Sequence, residues 1–353
     1  MAQVYKVTDL GLLAPTAINN WGQVAGNLNG HAFIWTTRGS LDLGTLAGGT
    51  FSSAAAINDL AVVAGTADGP GTVISQDPSF PNQECSDLTQ PFVWTPRNGM
   101  QGLGTVGGVW DRDYWCEVPF YATGINAPGL LVGYTPGAGS YVWAFFWTSA
   151  DGMTLFGGSW PVTAANGVSN TGQIVGQNST YQLFENGLGH ATSWKSGVAT
   201  DLGTLGGGAD VLDYTSSANG VNDQGQVVGW SDTAPDYGVP PIHAVLWTAS
   251  GAISDLGTLP GDTLSTASNI DFFGQVIGSS GNTLGSQGIF RVTVIGRPFI
   301  WSQRSGMQDL NTLISAKSGW VLNTVTGINF WGQIVGSGTL KGQAHGFLLT
   351  PRL

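Results

Sequence analysis

Two segments of the chain set carboxylates beside aromatic rings. One runs Gly107-Gly108-Val109-Trp110-Asp111-Arg112-Asp113-Tyr114-Trp115, with Glu117 just beyond it. The other runs Gly206-Gly207-Gly208-Ala209-Asp210-Val211-Leu212-Asp213-Tyr214. Aromatic faces stack on the apolar faces of sugar rings, and carboxylates accept hydrogen bonds from hydroxyls, so this mixture suits a glycan or another small polar ligand. Asp111, Asp113, Glu117, Asp210 and Asp213 are also the candidates for a general acid and base if their surroundings separate their pKa values, which would make the chain a glycoside hydrolase or polysaccharide lyase. A third reading stands beside these two. Acidic loop residues solubilise a face and aromatics cover it, leaving a structural scaffold or a surface for another protein.

Other residues that could carry chemistry are tied to an internal repeat. His31, His190, His243 and His345 are the only histidines, and all four hold the same repeated position. A metal needs several ligands converging within about 2 Å of one ion, so residues distributed by a repeat predict a structural role and no metal site. Asp9, Asp42, Asp201, Asp255 and Asp309 are repeat-locked in the same way, and hydrogen bonding between repeats is expected of them. Gly206-Gly207-Gly208 is followed by neither a helix nor a Gly-Lys-Ser/Thr ending, so it is no phosphate loop, and no cofactor is expected.

The repeat is a unit of roughly 50 residues, a period typical of propellers and solenoids. Its first half ends on Gly26, Gly65, Gly133, Gly176, Gly229, Gly278 and Gly336; its second half carries Trp35, Trp94, Trp147, Trp194, Trp247 and Trp301, with Leu349 in the seventh copy. In the fifth copy the strand-like runs are Tyr214 to Val221, Gln226 to Gly229, Ile242 to Thr248 and Ala252 to Leu259. Asn222-Asp223-Gln224-Gly225 joins the first two as a tight turn, in which Asn and Asp tolerate left-handed backbone and Gly supplies positive φ. Four short antiparallel strands repeated seven times predict an all-β chain: one seven-bladed β-propeller domain over residues 1–353. The seventh copy ends after its third strand, and Val7 to Leu13 matches Ile253 to Leu259, so residues 4–13 are expected to complete the last blade and close the ring.

The segments Asn19-Asn20-Trp21-Gly22-Gln23-Val24-Ala25-Gly26, His31-Ala32-Phe33-Ile34-Trp35 and Leu41-Asp42-Leu43-Gly44-Thr45-Leu46 resemble the HAF repeat family of bacterial extracellular proteins. The resemblance spans essentially the whole chain. It implies an extracellular address and no particular activity. The third copy departs most, reading Ala144-Phe145-Phe146-Trp147 and then Met153-Thr154-Leu155-Phe156-Gly157-Gly158.

Composition narrows the partners. Charged residues are 9% of the chain, against about 25% in an ordinary globular protein, which excludes long charged helices. The formal charge is −11, and the 11 Lys and Arg form no cluster along the sequence, which argues against nucleic acid and anionic membrane surfaces as partners. No apolar run reaches the roughly 20 residues of a spanning helix, so no membrane insertion is expected. Met1 precedes a strand-like segment without the features of a signal peptide. The reading is a secreted monomer.

Length differences among the copies fall on one side of the predicted ring. Loops joining strands 1 to 2 and 3 to 4 stay short, while insertions lie in the 2-to-3 and 4-to-1 connections, at residues 66–89, 106–120, 177–189, 206–213, 230–241 and 279–296. Variable loops on a rigid scaffold are where function concentrates. At the start of the small-residue strand 1, Phe51, Phe120, Tyr121, Trp160, Tyr214 and Trp320 would form an aromatic collar; Trp110, Tyr114 and Trp115 join it from the loops. Cys85 and Cys116 belong to two insertions of this same face, and a disulfide between them is expected, in keeping with an oxidising compartment.

Overall fold

A computed structural model describes residues 5–69, 73–74, 84–85, 88–105, 119–136, 142–157, 162–179, 189–206, 215–233, 241–286 and 292–352. They form seven four-stranded antiparallel blades of a β-propeller; a single parallel pairing, Val142 with Val162, bridges blades 3 and 4. The first strand of each blade is innermost. These strands are Ala14–Ile18, Ser52–Ile57, Tyr121–Ile125, Val162–Val168, Ser216–Val221, Leu264–Ile270 and Trp320–Ile328, and each touches the next around the ring, the seventh closing on the first. The N-terminal strand Tyr5–Asp9 completes blade 7 by pairing with Gln343–Pro351, in a register running from Tyr5 opposite Pro351 to Asp9 opposite Phe347. Leu10 then donates its amide to the Gly346 carbonyl, and Gly346 donates to Gly11.

The repeated glycine has a steric origin. In every blade the inner strand carries a β-bulge, and the residue before the bulge pairs with that glycine: Pro15 with Gly26, Ala54 with Gly65, Ala122 with Gly133, Ala165 with Gly176, Ala218 with Gly229, Ala267 with Gly278 and Val325 with Gly336. The bulge turns an inner-strand carbonyl into the space a Cβ would need. In four blades the ring of Phe92, Phe145, Phe299 or Phe347 closes over the same glycine. A bulge increases local twist, which splays the sheet as it leaves the crowded axis.

Blades pack through leucines and tryptophans. Leu256 and Leu259 of blade 5 are buried and meet Trp301 of blade 6; Leu10 and Leu13 meet Trp35 of blade 1. The fourth strand is shorter than the sequence suggested. In blade 5 it ends at Asp255, because the Asp255 carboxylate accepts the Gly257 amide at 2.7 Å and turns the chain into a hook. Ser265 of blade 6 clasps that hook, accepting the Ala244 amide and donating to the Gly257 carbonyl at 2.6 Å. Ser52 and Ser216 make the same clasp across two other interfaces.

Asp and His thereby take a different job from the inter-repeat bonding expected of the aspartates. They pair within one blade: His31 Nδ1 lies 2.9 Å from Asp42, His190 2.8 Å from Asp201, His243 2.9 Å from Asp255 and His345 2.8 Å from Asp9. Partial burial opposes ionisation of Asp42, Asp201 and Asp255. The glycine amide and the histidine outweigh it and hold all three below the usual carboxylate range.

The asparagine of the 1-to-2 turn also differs from expectation. Positive φ falls on the fourth turn residue, such as Gly22, Gly225 or Gly332, rather than on the asparagine. Asn19 instead accepts the amides of Trp21 and Gln23 and donates Nδ2–H to the Asn58 carbonyl of the next blade at 3.0 Å; Asn58, Asn126, Asn222 and Asn329 likewise donate to the next blade. A side chain that both accepts and donates is required, which selects Asn.

Blades 4 and 6 break this belt: Ser169 bonds Thr171 and Gln173 of its own turn, and Asp271 accepts the Phe273 and Gln275 amides and the Gln275 side chain but has no amide to donate onward. Asp271 is 3% exposed, and burial outweighs its hydrogen bonds and raises its pKa. A carboxyl with a folded pKa above its unfolded value favours folding most below the unfolded value, and that contribution is lost as pH rises through the folded one. Asp271→Asn is therefore expected to stabilise the protein by about 1–2 kcal/mol near neutrality, the cost of an unsatisfied buried group. The gain should shrink towards pH 3. Thermal melts of both proteins across pH check this.

Candidate functional site

On one face the 1-to-2 connections are uniform and the 3-to-4 connections are short. All seven 1-to-2 turns have one length, spanning residues 19–23, 58–62, 126–130, 169–173, 222–226, 271–275 and 329–333. The 2-to-3 connections of the opposite face run from the two residues between Leu28 and His31 to the long segment between Gly69 and Leu88, which includes a small pairing of Val73–Ile74 with Glu84–Cys85. One expected loop is largely strand. Residues 279–286 and 292–296 belong to the extended paired strands Val276–Ser286 and Val292–Ser302, because the ladder resumes beyond a bulge at Asn282.

Of the collar, Phe51 and Tyr121 lie at the starts of neighbouring inner strands and are exposed, by 43% and 37%. Tyr121 rests against Tyr134 with ring centroids 5.5 Å apart. Trp320 opens the inner strand of blade 7 and is half-buried, edge-on to His345 at 6.2 Å and to Phe347 at 6.0 Å. Phe120 does not belong to the collar: it is 1% exposed and packs on Phe145 at 5.5 Å, because side chains alternate and its neighbour Tyr121 takes the outward position. Trp110, Tyr114, Trp115, Trp160 and Tyr214 lie outside the described residues, as do Asp111, Asp113, Glu117, Asp210 and Asp213. So do Cys116 and the side chain of Cys85.

The described carboxylates on this face hold backbone or cations. Asp68 accepts the Thr50 and Phe51 amides and the Thr50 hydroxyl; partial burial works against its charge, but these donors prevail and lower its pKa. Asp232 accepts the Thr215 amide and hydroxyl at 2.7 and 2.6 Å. Asp262 and Asp309 share Arg297. Among the described residues no group of His, Cys, Asp and Glu is arranged to hold a metal.

A feature not anticipated from sequence is an apolar groove of about 410 Å³ between blades 3 and 4, lined by Phe146, Phe156 and Trp194. Trp194 pairs there with Ala199, where the corresponding partners of Trp94, Trp147 and Trp301 are Met100, Met153 and Met307.

Propeller architecture is also what comparison with solved structures returns. A streptogramin B lyase structure matches with a TM-score of 0.52 at 10% identity, over 99% of this chain and 98% of that one. The extracellular domain of the one component system BT4673 from B. thetaiotaomicron matches with a TM-score of 0.48 at 9% identity, over 99% of this chain and 40% of that one. At such identities the likeness is one of fold. No family model and no curated protein matches the chain.

Proposed function

We propose that the chain is an extracellular binding propeller of HAF-type repeats, one domain from end to end, whose loop-bearing face takes a neutral polyhydroxylated ligand, a glycan first of all. The observation that carries this reading is the set of aromatic rings at the starts of inner strands on that face: Phe51 and Tyr121 exposed, Trp320 half-buried at its edge. Rings fixed on strands lose little freedom on stacking against a sugar. Trp110, Tyr114, Trp115, Trp160 and Tyr214 are assigned to the same site from the loops, and Cys85 and Cys116 to a disulfide joining two of those loops.

Among the described residues the acids of this face, Asp68, Asp232, Asp262 and Asp309, are engaged in holding the scaffold, and catalysis by Asp111, Asp113, Glu117, Asp210 or Asp213 is the alternative that the test separates from binding. The test is an array of neutral oligosaccharides probed with the wild type and with Tyr121→Ala/Trp320→Ala. The expected result is retention of at least one glycan by the wild type and an affinity roughly five- to 150-fold weaker for the double variant, two stacked rings being worth about 0.5–1.5 kcal/mol each. Retention unchanged in the variant, or release of new reducing ends, would replace this reading.

A further inference from the structure

The uniform face carries the most exposed aromatics of the described structure. At the second and third positions of its turns, blades 6, 7, 1 and 2 present Phe272-Phe273, Phe330-Trp331, Trp21 and Leu60. Trp21 is 77% exposed, Leu60 69%, and Phe273 and Trp331 64% each. These blades are neighbours around the ring, and their rings touch: Phe273 lies 4.9 Å from Phe330, which lies 5.2 Å from Trp331. The other three blades carry Ala127-Pro128, Asn170-Thr171 and Asp223-Gln224 there.

The apolar arc is built and not frayed. The Trp21 indole N–H donates to the Asp59 carbonyl of the next blade at 2.9 Å, and that of Trp331 to the Asn20 carbonyl at 3.0 Å. Each indole is therefore satisfied on its polar edge and held across a blade boundary with its apolar surface in water.

Most of the exposed positive charge of this face follows the same four blades. The 3-to-4 connections of blades 6, 1 and 2 bear Arg304, Arg38 and Arg97, and in blade 7 Arg352 follows the third strand and Lys6 starts the closing strand; all five are exposed, and Lys195 of blade 4 is the one further exposed cation described on this face. None has a carboxylate partner among the described residues. Two acids share this arc, Asp59, which accepts the backbone and side-chain N–H groups of Asn20, and the buried Asp271, and the exposed cations outnumber them. The acidic rim of the opposite face, including Asp9, Asp42, Asp68 and Asp255, lies a strand length away. At about 3.3 Å per residue this exceeds the roughly 8 Å screening length of physiological salt, so the net charge of −11 does not govern this face.

We infer that this face docks onto an anionic phospholipid surface, the aromatic tips entering the headgroup region and the arginines meeting lipid phosphates. Seven turns of one length set these tips on one face of the ring. Trp at the interface and cations beside it are what such a surface binds, and a large exposed apolar patch marks an interaction site. The inference is independent of the glycan reading and leaves the loop face pointing away from the lipid. It also replaces the expectation that scattered Lys and Arg make no basic cluster: the ring collects from four repeats what the sequence spreads over more than 300 positions.

Cosedimentation with vesicles of equimolar phosphatidylglycerol and phosphatidylcholine tests it. Wild type is expected to bind these vesicles, to ignore pure phosphatidylcholine, and to be released at 0.5 M salt, a concentration at which charge attraction is heavily screened (about 4 Å). Trp21→Ala/Phe273→Ala/Trp331→Ala should weaken binding at least tenfold. Arg38→Gln/Arg97→Gln/Arg304→Gln/Arg352→Gln, which leaves every aromatic in place, should weaken it as much, with melting temperatures of both variants confirming the fold. No sedimentation of wild type, equal binding to both vesicle types, or a lipid-free dimer abolished by the same substitutions would overturn the inference, the last by assigning the face to a second copy.

Discussion

Deletion of residues 1–13 is expected to abolish cooperative folding. The segment supplies the outer strand of blade 7 and buries Tyr5, Leu10 and Leu13, at 1%, 6% and 3% exposure. Three such side chains contribute roughly 5–9 kcal/mol, using 1.5–3 kcal/mol each. The whole stability of a domain is only about 5–15 kcal/mol. The deletion also strips the edge of Gln343–Pro351 and uncovers Phe347 and Leu348, which invites aggregation. Circular dichroism and gel filtration should report a broad or absent transition and large species. Adding a synthetic peptide of residues 1–13 should restore the melt; a deleted protein that melts sharply without it would refute closure by this strand.

Gly133→Ala is expected to cost more than about 3 kcal/mol, beyond the usual range for an overpacked core site. Its methyl would overlap the Tyr121 carbonyl oxygen and sit 2.6 Å from the Phe145 ring, and neither neighbour is free to withdraw. Gly124→Ala in the same blade is the control. There the nearest atom is a Val132 methyl at 3.4 Å, an ordinary contact, and a change under about 1 kcal/mol is expected. Urea melts compare the two, and equal losses would remove the steric account of the repeated glycine.

Much of this architecture is legible in the chain because each blade restates it. The match of Val7 to Leu13 with Ile253 to Leu259 reveals the closing strand, since a fourth strand displaced to the other terminus makes sense only in a ring. What escaped sequence reading depends on neighbours far along the chain. The fourth strand stops at Asp255 where its carboxylate takes the Gly257 amide, and Ser265 of the next blade clasps the hook so formed. The turn asparagine is chosen for a carbonyl one blade away, as Asn19 is for Asn58. Phe120 looked like a rim residue because its alternation with Tyr121 is set by the strand register, which composition does not reveal. Aromatics and arginines of the turn face, about 50 residues apart in sequence, become a surface only when seven blades stand side by side.

Of the collar, Phe51, Tyr121 and Trp320 owe their placement to the starts of inner strands, a position the small-residue pattern already marks. Hydrogen exchange with and without a glycan retained on the array is the most direct test of which face binds. Protection is expected at the strand starts around Phe51, Tyr121 and Trp320 and in the loops of that face, with the turns at Trp21, Phe273 and Trp331 unchanged. Protection confined to those turns, or none at either face, would contradict the assignment.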